Sequence, residues 1–286
     1  MDVRPINKEN KKLMNSKLIE LETKLDADVV VYFGEIVQGV DDQIKMLVED
    51  LQRDPNKKDR LFVILTTLGG SLNPVKRIVT VFRHFYKEVN FIVPDYAYSA
   101  GTILCMSGDN IYMNYYSALG PIDPQVQNRE GKLVAALGYL DKVNEMIEKS
   151  KLGILTQAEF LLLKDFDLAE LRAYEQAKEL AMDLVTEWLA RYKFKDWLKH
   201  SDGESVTDEQ KKARALEIAE KLSNNNVWKS HSRPISISEL EEMHLKIEDY
   251  GKDVELAELI SAYHTMMIDY VITNNFRLFI HTRRYL

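Results

Sequence analysis

Two apolar runs, each ending in a glycine-bearing turn that leads into a helix pattern, restrict this chain more than any other feature. Leu61-Phe62-Val63-Ile64-Leu65-Thr66 runs into Thr67-Leu68-Gly69-Gly70-Ser71, and Phe91-Ile92-Val93 is followed by Tyr98-Ser99-Ala100-Gly101-Thr102. Continuous apolar runs of this kind suit strands buried on both faces, as in parallel sheets. Val29 to Phe33 is a similar run ahead of them and Asn110 to Met113 a shorter one behind. Between the runs lie helix patterns: Ile44, Leu47, Val48 and Leu51 share one face, and Ile78, Phe82 and Phe85 point inward on the next. Asn73 is the expected cap of that next helix, with Pro74 at its first helical position. The βαβαβαβ rhythm predicts an α/β fold around a mostly parallel sheet.

From Leu133 to about Leu222 nearly everything has helical spacing. Thr156 with Glu159, and Thr207 with Gln210, are capping-box patterns that open helices. A further helix is expected from roughly Ser238 and another from Val254 to Thr273. The expected division is an α/β core over 1–150, a helical extension over 151–230, and a C-terminal helical segment over 231–286 that packs back on the core.

Composition narrows the partners. A net charge of −7 argues against nucleic acid, since phosphate binding needs concentrated basic surface and the tail His281-Thr282-Arg283-Arg284 is too short to supply it. No apolar run approaches the ~18 residues of a membrane span. The charged first thirty residues do not resemble a signal peptide. One cysteine, Cys105, excludes an internal disulfide, is expected to pack as a small apolar residue, and fits a reducing compartment. A cytoplasmic protein is the expectation.

In a parallel sheet both glycine turns fall at the carboxyl ends of strands, where such folds place ligands. Neither has the spacing of a P-loop or a dinucleotide fingerprint, and no His-x-x-x-His or Cys-x-x-Cys pattern offers a metal site, so no cofactor is expected. Glycine lets the backbone turn N–H groups outward, where they can stabilise an oxyanion. Ser99 opens a helix, whose free N–H groups favour developing negative charge. One turn thus supplies a nucleophile and the other oxyanion donors. Taken singly, each turn is as well explained by close helix–sheet packing, with Ser99 a simple helix cap.

The two turns are followed by Gly120-Pro121-Ile122-Asp123-Pro124-Gln125 and later by Trp228-Lys229-Ser230-His231-Ser232-Arg233-Pro234-Ile235. In this order the motifs resemble the serine dehydrogenase proteinase family, itself similar to signal peptide peptidase A and the Clp proteolytic subunit. The resemblance implies the Clp/crotonase fold, with a large helical C-terminal extension here. It also implies a serine peptidase in which Ser99 attacks the scissile carbonyl. Gly70 and Ala100 would supply the oxyanion amides, and Gly69 would shape the turn.

The base is less plain. The Clp subunit uses a histidine downstream of its serine; here that neighbourhood holds Asp123, 24 positions after Ser99. Signal peptide peptidases use a lysine farther on, and Lys142 lies 43 positions after Ser99. A lysine base must be desolvated or placed near positive charge to fall from about 10.4 towards neutrality, yet Lys142 shares a polar helix face with Glu145. His231 needs far less tuning. Asp123 suits orienting a base or a substrate amide, or fixing a turn between two prolines. The expectation is therefore a self-assembling peptidase acting on peptides or proteins, with Ser99, Lys142, His231 and Asp123 as the catalytic candidates and a Ser–Lys dyad preferred. A crotonase-like acyl-CoA enzyme and a scaffold that has lost its base are the alternatives.

Overall fold

The computed structural model describes residues 5–123, 125–127, 133–230 and 233–286. Five strands of the central sheet run parallel: β1 (Asp28–Gly34), β2 (Arg60–Thr66), β3 (Glu88–Ile92), β5 (Asn110–Met113) and β9 (Glu248–Asp249). A sixth, β10 (Leu278–His281), closes the other edge antiparallel to β1, giving the order β10-β1-β2-β3-β5-β9. The helices between them are α2 (Val40–Gln52), α3 (Leu72–Phe85) and the short α4 (Ala100–Cys105). Before β1 stands α1 (Pro5–Leu25).

The first half of the chain folds as its apolar spacing predicts. Val30, Val63, Leu65 and Phe91 on one face of the sheet meet Ile44, Val48, Ile78 and Phe82 of α2 and α3. The start of α3 differs from expectation. Ser71 is the residue before the helix and Leu72 its first, so Pro74 sits two positions further in and Asn73 is no cap. Ile36, just past β1, holds Ser71 instead, its carbonyl accepting the Ser71 N–H at 2.8 Å where the helix begins.

On the other face, Val29, Val31, Phe62 and Ile64 pack against α1 and α11 (Val254–Asn274). Met14, Leu18, Leu21 and Leu25 of α1 follow helical spacing and are buried, each burial contributing about 1.5–3 kcal/mol. The C-terminal tail is structural. His281 is fully buried against Tyr263, and Arg283 pairs with Glu22 at 2.8 Å, Asp28 at 2.7 Å and Asp54 at 3.1 Å. The basic residues of the tail are thus spent on acidic groups of the same fold.

After its main strands the chain builds a second, smaller ladder. Ile36 bridges Gly70, Thr67 bridges Ala97, β4 (Tyr96–Ala97) pairs in parallel with β6 (Ala118–Leu119), and Leu119 bridges Ile235. Then come β7 (Gln125–Gln127) and β8 (Leu133–Ala135), paired antiparallel, where the sequence pattern had suggested helix from Leu133. The helices that follow are α5 (Ala136–Lys151), α6 (Gln157–Asp165), α7 (Leu168–Trp188), α8 (Asp208–Leu222), α9 (Asn225–Trp228) and α10 (Ile237–Glu242). Both expected capping boxes form, on Thr156–Glu159 and Thr207–Gln210. Leu184, Val185 and Trp188 of α7 and Ile218 and Leu222 of α8 join the core that surrounds α3 and α4. No helix among the described residues is long and apolar enough to cross a membrane.

Candidate active site

The second ladder brings the two glycine turns into contact. Thr67 donates its N–H to the Tyr96 carbonyl at 3.1 Å and accepts the Tyr98 N–H at 3.0 Å, tying the end of β2 to β4. Its hydroxyl accepts the Gly69 N–H at 3.0 Å and folds the turn back. Gly69 and Gly70 hold φ of +108° and +141°, which a side chain rarely adopts. Space forbids one as well. A Cβ on Gly69 would stand 2.8 Å from Ser99 Cβ and 3.2 Å from the Ala100 nitrogen, and one on Gly70 would stand 2.3 Å from the Ile36 carbonyl oxygen.

Ser99 is 4% exposed and holds φ 52°, ψ −116°. A non-glycine residue in so sparse a region costs of order 1–3 kcal/mol and persists only where its surroundings fix it. Those surroundings are visible. Gly101 N–H donates to the Tyr98 carbonyl at 2.8 Å, while Thr102 Oγ1 donates to the Ala97 carbonyl at 2.8 Å and accepts Gly120 N–H at 2.9 Å. Gly101 lies so close to β2 that a Cβ there would meet Thr67 Cγ2 at 2.4 Å. Ser99 makes no side-chain cap bond to α4, so helix capping does not account for it. Ala100 is the first residue of α4, where an N–H has no partner within the helix. Neither that N–H nor the Gly70 N–H has a hydrogen-bond partner among the described residues. A strained, uncapped hydroxyl beside two unengaged amides is suited to acyl transfer.

The remaining candidates lie as follows. Asp123 is buried and accepts the Leu137 N–H at 3.1 Å, which ties the segment after β6 to the first turn of α5. Lys142 is on the outer face of α5, its side chain 55% exposed and 2.8 Å from Glu145. That solvated ion pair is the reverse of the desolvated setting a lysine base requires. His231 lies outside the described residues. The other five histidines form no hydrogen bond to Ser99: His264 contacts Thr66, His281 contacts Tyr263, His84 packs on Phe85, His200 packs on Trp197, and His244 precedes β9. Burial pushes the Cys105 thiol well up, which removes it as a nucleophile.

A sequence model of the ClpP-like SDH-type serine proteinases matches residues 36–273, most of the chain. The chain belongs to this family. Other members and relatives are of limited similarity. The uncharacterized protein MJ1495 of Methanocaldococcus jannaschii is 24% identical over 218 residues, which cover 76% of this chain and 59% of that protein. The chain therefore spans less than two thirds of that relative's length. The uncharacterized protein MJ0137 of the same organism is 36% identical over 64 residues, 22% of each chain. Among solved structures, two mutants of the 1510-N membrane-bound stomatin-specific protease align with TM-scores of 0.45 and 0.44 at 13% and 14% identity. They cover 80% and 77% of this chain, and 81% and 72% of their own; the second is in complex with a substrate peptide.

Sequence reasoning missed three residues that hold Ser99 in place. Thr67 and Thr102 stitch both turns together through their hydroxyls, and Gly120 admits the Tyr98 ring, 2.9 Å from where its Cβ would be. The only sequence signal was a threonine beside each glycine turn, a pattern too common to single out.

Proposed function

We propose that this chain hydrolyses peptide bonds through an acyl-enzyme on Ser99, with the Gly70 and Ala100 amides as oxyanion donors and His231 as general base. Ser99 Oγ attacks the scissile carbonyl carbon while the base takes its proton. The carbonyl oxygen becomes the oxyanion and accepts the two N–H bonds. Collapse expels the amine, which receives the proton back, and water then releases the acyl group by the same steps in reverse. The observation that carries this reading is the Ser99 backbone, held at a strained angle with its hydroxyl uncapped, against a glycine turn that no side chain fits.

His231 is preferred to Lys142 on the chemistry of an imidazole base, and the described residues on either side of it are anchored. Ile235 exchanges backbone hydrogen bonds with Leu119, at 2.8 and 3.1 Å, in the ladder that carries β4 and leads into Ser99. On the other side, the Trp228 indole N–H donates to the Lys221 carbonyl at 2.7 Å. An imidazole needs far less tuning than a lysine to act as a base near neutral pH, and Lys142 stays solvated beside Glu145. Asp123 is proposed to position the start of α5. Leu68 and Val37, both exposed, flank the Gly69–Gly70 turn and suit apolar side chains of a substrate. Self-assembly fits α6, which has no buried residue and exposes Phe160, Leu161 and Leu162. A cytoplasmic setting fits the single, free Cys105.

The test of the base is hydrolysis of a quenched fluorescent peptide library followed against pH. His231→Gln is expected to lower kcat/KM by at least about 10²-fold and to remove the acid limb near pH 6.5. Lys142→Met is expected to leave both unchanged. The reverse pattern would assign the base to Lys142 and a Ser–Lys dyad.

A further inference from the structure

At the end of the sheet away from Ser99, a cavity of about 660 Å³ opens where β3 and β5 begin. Glu88, Asp109 and Asn110 form its floor at the amino-terminal ends of these strands, whereas the glycine turns lie beyond the carboxyl ends. Its volume is within the roughly 300–1,000 Å³ typical of small-molecule sites. The roof is the segment after α7. There the helix widens into a π-turn over Leu189–Lys193, with the Phe194 N–H bonded to the Leu189 carbonyl at 2.8 Å. Such turns disturb helix register and recur at functional sites. This one delivers Lys193, Phe194 and Trp197 to the cavity, the two aromatic rings packed edge-on at 5.9 Å.

The charges around the cavity are nearly all engaged. Glu88 pairs with Arg60, and Asp109 with both Arg83 and Lys195. Arg214 pairs with Glu217 and Lys246 with Glu248. Lys193 is the cation that stands apart. Its amine is partly buried and has no ion pair or hydrogen bond among the described residues, and burial holds it down at about 8. His244 also lines the cavity, and so does Asp196, an exposed carboxylate. Asp109 and Glu248 act on this amine only through space, and an amine drawn out of water with no hydrogen-bonded counter-ion is stabilised by an anion that enters beside it.

We propose that this cavity is a second ligand site, separate from Ser99, for a small anion carried on an aromatic or similarly flat apolar body. The carboxylate or phosphate pairs with Lys193, and the body packs against Phe194 and Trp197. The test is titration of the full chain by calorimetry with phenyl phosphate, phenylacetate and, as the neutral control, benzyl alcohol. Saturable binding of one or both anions below about 1 mM, at least about 10-fold tighter than benzyl alcohol, is expected, and which anion binds assigns the head group. Lys193→Met should weaken that binding about 10- to 100-fold, Lys193→Arg should largely restore it, and Ser99→Ala should leave it unchanged. Equal binding of benzyl alcohol, indifference to Lys193→Met, loss in Ser99→Ala, or no saturable binding would overturn the proposal. If Lys193→Met does not fold, acetylation of the wild-type chain read by mass spectrometry takes its place. The favoured anion should slow modification of Lys193 relative to the exposed Lys142 by at least about 5-fold, and no protection would overturn the proposal.

Discussion

Replacing Gly69 with alanine isolates the contact on which the site depends. Two costs are separable. The first is conformational: alanine at φ +108° is held in a region that costs of order 1–3 kcal/mol. The second is collision. The new methyl would stand 2.8 Å from Ser99 Cβ and 2.7 Å from the Tyr98 carbonyl oxygen, against about 3.5–4.0 Å for comfortable carbon contact. The two turns must therefore separate by close to 1 Å, and overpacking of this kind costs about 1–3 kcal/mol. Gly153→Ala is the control, because Gly153 also has positive φ, +69°, with nothing within 4 Å of its Cβ position. Urea denaturation should give a loss of about 1–2 kcal/mol for Gly153→Ala and about 3–5 kcal/mol for Gly69→Ala. Displacing Ser99 from its amides by about 1 Å should also lower peptide hydrolysis about 10²-fold, while Gly153→Ala keeps full rate. A Gly69→Ala protein within about 0.5 kcal/mol of the control, or one with normal hydrolysis, would refute the argument that the turns are in forced contact.

Arg283→Met should destabilise the fold by about 3–5 kcal/mol in the same assay, because it leaves Glu22 and Asp28 buried without their cation; a loss under 1 kcal/mol would mean the cluster relaxes into water. Stability should fall with acid. Burial holds His264 at about 4 and His281 at about 3, so between pH 6.5 and those values the unfolded chain binds protons that the folded chain refuses. By pH 5 each histidine should remove about 2 kcal/mol relative to pH 7, and a flat urea midpoint over that range would contradict this. Phe160→Ser with Leu161→Ser should lower the mass seen by light scattering if α6 joins copies of the chain, and unchanged mass would rule out that face.

The parts of the fold legible in the sequence were those held by local spacing. The buried runs of β1 and β2, the inward faces of α2 and α3, and both capping boxes all follow from residues close together in the chain. The edge strand β10 did not show. Leu278 to His281 is too short a run to distinguish from a helix end, and its pairing with β1 is decided about 250 residues away in sequence. Within the site, the glycines and Ser99 were visible because a turn of forced geometry leaves few residue choices. Thr67 and Thr102 were not, since a threonine hydroxyl acquires its role only once β2, β4 and β6 lie side by side. The environment of Lys142 was partly legible: the polar face shared with Glu145 pointed to the ion pair found there.

The central claim is that Ser99 is an activated nucleophile, and fluorophosphonate labelling with the adduct located by mass spectrometry tests it without knowledge of the natural substrate. The account predicts a single adduct on Ser99, absent in Ser99→Ala and rising in rate as pH passes through about 6.5. No adduct at any pH, or an adduct on another residue that survives Ser99→Ala, would contradict it.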